Sequence, residues 1–323
     1  MKRIISLIAV TLITFTTATA QRISVVTESG ATSIYRTLQE AIEGADSGST
    51  IYLPGGGFTL PDSVKITKRL TIIGIGHKSN NDNADGFTNI SGNLYFNKGS
   101  DASAVLGCYV TGTIYIGNDG KEVDNVLIRY CNIYNINVHG PSCMGTVVNQ
   151  CYLRATSYFN NANGYFTNNI AYGLYRLNNG FIENNIFTSS NLFGSSSGGY
   201  CDSSSIKGNI ILSKPSSWYV NNSCHVLGNM MKSDWSKDED AVVISAEWSD
   251  VFTNYNGGAI SSVSDFHFME DYKQYESKVG IYAGGTDFDK QLAPVPYIVS
   301  KSIPQETDAA GNLNIKIRVK AGD

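Results

Sequence analysis

Short apolar bursts separated by polar bends run through the middle of this chain. Val126-Leu-Ile128 and Ile210-Ile-Leu212 are two of them, and Gly164-Tyr-Phe-Thr-Asn-Asn-Ile170 returns sixteen residues later as Gly180-Phe-Ile-Glu-Asn-Asn-Ile186. Bursts this short, alternating in polarity, predict half-buried strands and not amphipathic helices. Asparagine is poor in both elements but tolerates the left-handed backbone of a tight bend. The paired asparagines therefore mark a corner that the chain turns repeatedly. With the apolar residue after the pair as a marker, the series is Val110, Ile133, Leu153, Ile170, Ile186, Ile210 and Met230, at intervals of 23, 20, 17, 16, 24 and 20 residues. Helical solenoids need about 33 or more residues per unit. Coils of about 20 residues built from short strands and bends predict a parallel β-helix, in which a loop can swell at one corner without disturbing the stack.

In this register Asn132, Asn169, Asn185, Asn209 and Asn229 are the expected asparagine ladder. The column two residues before the marker reads Cys108, Cys131, Cys151, Asn168, Asn184, Gly208 and Gly228. Successive strands lie about 4.8 Å apart, a spacing that admits a disulfide, but side chains stacked in one column point the same way. The three cysteines are expected to be buried, reduced thiols packing as small apolar groups. Cys143, Cys201 and Cys224 fall in less regular places, where a bridge stays open.

Upstream, Leu38, Ala41, Ile42 and Ala45 sit at helical spacing and Asp46-Ser-Gly48 ends the helix. A strand follows at Thr50-Ile-Tyr-Leu53, a turn at Pro54-Gly-Gly-Gly57 and another strand at Leu70-Thr-Ile-Ile73. This order resembles the entry coil of the pectin-lyase-like right-handed β-helix proteins, and the resemblance extends over roughly residues 36–290. It implies a right-handed solenoid whose open end is covered by the helix. It does not choose a chemistry, because such folds carry lyases, hydrolases, adhesins and inert scaffolds. Lys278-Val-Gly-Ile-Tyr-Ala-Gly-Gly285, followed by Pro294-Val-Pro296, resembles the closing turn of such helices. Beyond it, residues 298–303 and 313–319 read as two strands, with Leu313, Ile315, Ile317 and Val319 alternating onto a buried face. The tail resembles the terminal segments of exported β-helix proteins from gut Bacteroidetes, which implies a place in or beyond a periplasm.

Composition adds the setting. Met1-Lys-Arg3, an apolar run over residues 4–15 and Ala18-Thr-Ala20 read as a secretory signal peptide over residues 1–20. The β-helix is then expected over residues 21–293 and the two-stranded tail over 294–323. The leading run is too short for a membrane span, and no later segment approaches one. The chain has 24 basic and 28 acidic residues, a net charge of −4. Loss of Lys2 and Arg3 leaves 22 against 28, or −6. Without a basic stripe or a recognition motif, nucleic acid is not an expected partner.

Candidate chemistry is sparse. Between Asn125 and Met230 the only acids are Glu183 and Asp202, too few for a hydrolase that needs converging carboxylates. A uronate lyase needs a base and a group that neutralises the substrate carboxylate. Arg129, His139, Arg154 and Arg176 are the weak candidates, scattered in the register. Asp82 and Asp85 stand in a segment that imitates the start of a calcium loop, but Gly92 occupies its twelfth position. Residues 233–250 concentrate charge and aromatic surface, with Asp238 and Asp240 as further cation candidates and Trp235 and Trp248, beside Trp218, as candidate sugar platforms. No cofactor is expected, calcium being the one ion the pattern leaves open. The reading supported first is an exported, non-catalytic β-helix protein that binds polysaccharide or another glycan. The alternatives are a polysaccharide lyase with an Arg, His or Tyr base, and a surface scaffold of adhesin type.

Overall fold

A computed structural model describes residues 22–77, 86–194, 199–214, 217–233, 235–258, 260, 264–286, 288, 297–304, 306–308 and 310–320. The expected signal peptide, Asp82, Asp85 and the Pro294-Val-Pro296 stretch lie outside the described residues. Thr37 opens the helix Leu38–Gly44 through a capping box. Its hydroxyl accepts the Glu40 N–H at 3.1 Å, and the Glu40 carboxylate accepts the Thr37 N–H at 3.1 Å. Leu38, Ala41 and Ile42 turn inward. Ahead of the helix lies a hairpin that the apolar pattern did not reveal, Ile23–Val26 with Thr32–Tyr35, and its first strand pairs antiparallel with Thr50–Tyr52. The hairpin thus protects the edge that the first coil would otherwise expose.

From Thr50–Tyr52 onward the chain winds as a right-handed parallel β-helix of about eight turns, compatible with the pectin-lyase-like architecture. Each coil contributes one strand to a first sheet and then one to a second. The first sheet stacks Thr50–Tyr52, Thr71–Ile73, Ala104–Leu106, Leu127–Arg129, Thr146–Asn149, Gly164–Thr167, Phe181–Glu183, Ser205–Lys207 and His225–Leu227. Its central residues, among them Val105, Ile128, Val148, Phe166, Ile182 and Ile206, are fully buried one above another. Each such side chain contributes about 1.5–3 kcal/mol relative to exposure. The repeated glycines of the sequence let coils approach here: a Cβ on Gly180 would stand 2.2 Å from the Gly164 carbonyl oxygen.

The corner between the sheets takes two residues. The first adopts a positive φ in coil after coil: Gly107 63°, Tyr130 56°, Gln150 52°, Asn168 54°, Asn184 58°, Gly208 62° and Gly228 64°. The second points inward and forms one continuous column of Cys108, Cys131, Cys151, Asn169, Asn185, Asn209 and Asn229, all fully buried. The paired asparagines therefore have separate tasks, one bending the backbone and the next filling the column. Asn209 shows the bonding. Its Nδ2 donates to the Ile182 carbonyl and to Asn229 Oδ1, each at 2.8 Å, and its Oδ1 accepts the Asn185 N–H at 3.0 Å and Asn185 Nδ2 at 2.9 Å.

This corrects the register read from the sequence. Strand pairing sets Asn132 opposite Tyr109 and Tyr152, in the column that continues as Ile170. Asn132 is therefore no rung of the ladder, and its Oδ1 is buried without a hydrogen-bond partner. The apolar marker slips by one residue after Leu153 because the outer face of the second sheet becomes covered. Ile170, Ile186, Ile210 and Met230 point outward into a second hydrophobic core, while Ala171, Phe187, Ile211 and Met231 point into the first. With both faces buried, alternation no longer tells inside from outside.

The second core is closed by residues 244–288. They form the helix Trp248–Val251, an antiparallel pair of Phe252–Asn254 with Asp265–Phe268, and the 3-10 helix Glu270–Tyr275. Gly280, at φ 76°, lies against Ile210, where a Cβ would come within 2.4 Å of Cδ1, and donates its N–H to the Gly208 carbonyl at 2.8 Å. The stretch expected to close the solenoid thus docks on its flank. The tail strands Tyr297–Ser302 and Lys316–Lys320 pair antiparallel as expected. The expected buried face is a second correction: Leu313, Ile315, Ile317 and Val319 are all exposed. No helix among the described residues is long and apolar enough to cross a membrane.

Candidate functional site

The tryptophans of residues 233–250 are structural in their placement. Trp235 is 3% exposed, its ring stacked 3.9 Å from Trp218 at 5° and 6.3 Å from Phe193. Trp248 is 4% exposed and donates Nε1–H to the Leu212 carbonyl at 2.9 Å. Neither opens a ring to a sugar, and Trp218, half-buried, has one face taken by Trp235. These large rings fill the last coils and the second core, where apolar surface would otherwise meet water. Asp238 ends the asparagine column: its Oδ2 accepts the Asn229 N–H at 3.0 Å and Nδ2 at 2.8 Å. Burial raises its carboxyl above the ordinary value, against the lowering effect of those bonds. Asp240 sits at φ 61° beside a cleft of about 400 Å³ shared with Lys207, Tyr275 and Lys278. Among the described residues no three His, Cys, Asp or Glu side chains gather at one point.

The candidate catalytic residues are held apart. Arg129 projects from the first sheet, where Nη2 and Nε donate to Gln150 Oε1 at 2.7 and 3.2 Å and the guanidinium lies 4.5 Å above the Tyr130 ring. Arg154 follows a strand of the second sheet. It donates from Nη1 to the Tyr109 hydroxyl and from Nη2 to the Val110 carbonyl, both at 2.7 Å. It lines a cleft of about 280 Å³ with Tyr152, Tyr172 and Thr188. Arg176, at φ 53°, donates to Asn160 Oδ1. His139 is exposed beyond the strand Asn132–Val138. Each arginine is thus tied to neutral acceptors at a different place on the solenoid.

What the fold brings together lies on the outer face of the first sheet. Strand register aligns Leu127, Val147, Tyr165, Phe181 and Ser205 in one outward column, and Arg129, Asn149, Thr167, Glu183 and Lys207 in the next. Tyr165 and Phe181 are 47% and 42% exposed and stack with ring centroids 5.2 Å apart at 7°. Beside them opens a cleft of about 430 Å³ lined by Asp124, Asn125, Met144, Asn163, Tyr165 and Asn179. The amides come from turns that lead into strands of the first sheet, and Asn125 and Asn179 take positive φ there, 58° and 51°. Asp124 Oδ1 accepts the Met144 N–H and Asn163 Oδ1 the Gly145 N–H, each at 2.6 Å, so both side chains are held in place. In the polar column Asn149 Nδ2 donates to Thr167 Oγ1 at 2.9 Å, and Ser205 Oγ, from the neighbouring column, donates to Glu183 Oε1 at 2.6 Å.

Sequence reasoning passed over this face, although the signal was in the repeat itself. Tyr165 and Phe181 occupy the same position after Gly164 and Gly180, outside the apolar residue that enters the core. The chain matches no family model, no curated protein and no solved structure.

Proposed function

We propose that this protein is a non-catalytic glycan-binding protein that works outside the cytoplasm and holds polysaccharide on the outer face of the first sheet. The observation that carries the reading is the exposed Tyr165–Phe181 pair beside a cleft lined with amides, of which Asn163 is held in place, and with the anchored Asp124 carboxylate. Aromatic rings pack against the C–H faces of pyranose rings, and planar polar side chains match paired hydroxyls. The two rings stand on neighbouring coils along the axis, which suits a ligand long enough to span more than one coil. The leader-like pattern of residues 1–20 supports the setting.

The test is a glycan array followed by calorimetry on the strongest ligand. Tyr165→Ala and Phe181→Ala each lower affinity by about tenfold or more, a loss of about 1.4 kcal/mol, with little change in melting temperature because the side chains are exposed. Unchanged binding in both variants ends the reading.

A polysaccharide lyase is the second reading, favoured by Arg154, a guanidinium with neutral partners at the mouth of a tyrosine-lined cleft. It requires an ultraviolet-absorbing unsaturated uronate product that Arg154→Gln abolishes.

A further inference from the structure

All six cysteines are free thiols, and one pair of them sets a partly exposed thiol beside a buried one. Cys108, Cys131 and Cys151 share one column, and each is wholly buried. Cys201 instead pairs through its backbone with Val220 of the next coil. Cys224 stands four residues further on and reaches Cys201 across the corner. The turn that brings it back is defined by the Asn221 N–H donating to the Cys201 carbonyl at 2.9 Å and the Cys224 N–H donating to the Asn221 carbonyl at 3.2 Å. Cys224 Sγ then donates to the Cys201 carbonyl at 3.4 Å and accepts the Ser204 N–H at 3.5 Å, while Cys201 Sγ donates to the Leu177 carbonyl at 2.8 Å. The two sulfurs gather around Ser204, whose Oγ donates at 3.0 Å to the Leu177 carbonyl that Cys201 Sγ also addresses and whose N–H meets Cys224 Sγ. Solvent reaches the half-buried Cys224 but not the buried Cys201. An accessible thiol on the same turn as a protected one is the arrangement that thiol–disulfide exchange requires.

We propose that Cys224 and Cys201 form a thiol–disulfide exchange site, with Cys224 the entering nucleophile, Cys201 the resolving thiol, and a low-molecular-weight disulfide the oxidant. The Cys224 thiolate attacks one sulfur of that disulfide, the S–S bond breaks, and one thiolate leaves. Cys201 gives its proton to the departing thiolate and attacks Cys224 Sγ, and the second thiolate leaves. Two protein thiols and one disulfide become one protein disulfide and two small thiols, with two electrons passed to the oxidant. The bridge ties two successive coils near the end of the solenoid and closes the loop between residues 201 and 224. The surroundings of Cys224 also favour its thiolate. Its bond with Cys201, helped by Lys237 and opposed by burial and Asp202, lowers its thiol to about 7.

The experiment uses the reduced full-length protein and glutathione disulfide as the probe, with remaining thiols blocked in acid before mass spectrometry. The expected product is lighter by two hydrogens and gives one crosslinked peptide joining Cys201 to Cys224, while Cys108, Cys131, Cys143 and Cys151 are recovered as thiols. Cys201→Ala stops at a glutathione adduct on Cys224. In the native reduced protein, iodoacetamide labels Cys224 first, at a rate rising through about pH 7. Six surviving thiols, a bridge joining another pair, or an adduct that persists on Cys224 in the wild type overturns the proposal. Should Cys201→Ala fail to fold, the wild-type peptide map decides alone.

Discussion

Along one corner of the solenoid the same buried position holds thiols in three coils and carboxamides in the next four. Both halves address the same backbone group, the carbonyl of the central residue in the preceding first-sheet strand. Cys131 Sγ approaches Val105 O at 3.5 Å and Cys151 Sγ approaches Ile128 O at 3.6 Å, whereas Asn169 Nδ2 reaches Val148 O at 2.9 Å and Asn185 Nδ2 reaches Phe166 O at 2.8 Å. Both halves can also receive the N–H of the coil before. Cys131 Sγ takes the Cys108 N–H at 3.5 Å, and Asn169 Oδ1 takes the Cys151 N–H at 2.9 Å. The column therefore asks for one donor and one acceptor per coil. A thiol answers weakly and tolerates neglect, while a carboxamide answers fully and leaves more buried polarity to satisfy if the chain of bonds is cut.

The largest loss is expected at Asn209. Asn209→Ala strips the acceptor from both Asn185 donors and the donor from Asn229 Oδ1 and Ile182 O. The expected loss is about 3–5 kcal/mol in urea denaturation. A loss no larger than that of a thiol deletion would mean that the two halves are energetically alike.

Exchange of the chemistries sharpens the point. Asn209→Cys is expected to cost about 1–3 kcal/mol, since it leaves the bonds on either side poorly met. Cys151→Asn lengthens the ladder at its end and is expected to stay within about 1 kcal/mol of wild type, its amide finding Ile128 O and Asn169 Oδ1 in reach. Equal costs for the two changes would remove the asymmetry.

Cys131→Ala deletes only a small packed group, for about 1 kcal/mol. Burial holds the flanking thiols Cys108 and Cys151 well above their ordinary range. All three cysteines are therefore expected to resist iodoacetamide until the protein is denatured. Rapid native labelling would place them outside the core.

The smallest effect is expected where the ladder ends. Asp238 has a folded pKa raised above 3.8 by burial. Such a carboxyl gives its full stabilisation below the unfolded pKa and loses it as pH rises through the folded value. Asp238→Asn keeps an acceptor for Asn229 and removes that loss. The variant should gain on the wild type, by about 1 kcal/mol or less, as denaturation is moved from acid towards neutral pH. A wild type that gains on the variant over that range would reverse the sign.

Features with local causes were readable from residue order. The helix over residues 38–44 follows from apolar spacing and the Asp46-Ser-Gly48 stop, and the coil length follows from recurring bends whose Asn or Gly accepts a positive φ. The buried thiols followed from their common register. The ladder was legible in kind but misplaced at Asn132, because after Leu153 both faces of the second sheet are apolar. The exposed pair Tyr165 and Phe181 left a signal in the repeat, but aromatic identity alone does not say which rings are open.

By itself, the sequence determined that this chain coils, where it bends and which end is capped, because backbone preference and apolar alternation act over a few residues. Only the tertiary structure decided which flank residues 244–288 cover, that Trp235 and Trp248 are core while Tyr165 and Phe181 are open, and that Asp238 completes a ladder begun by Cys108. Those outcomes depend on contacts between distant segments, and burial is a property of what packs against a residue and not of the residue.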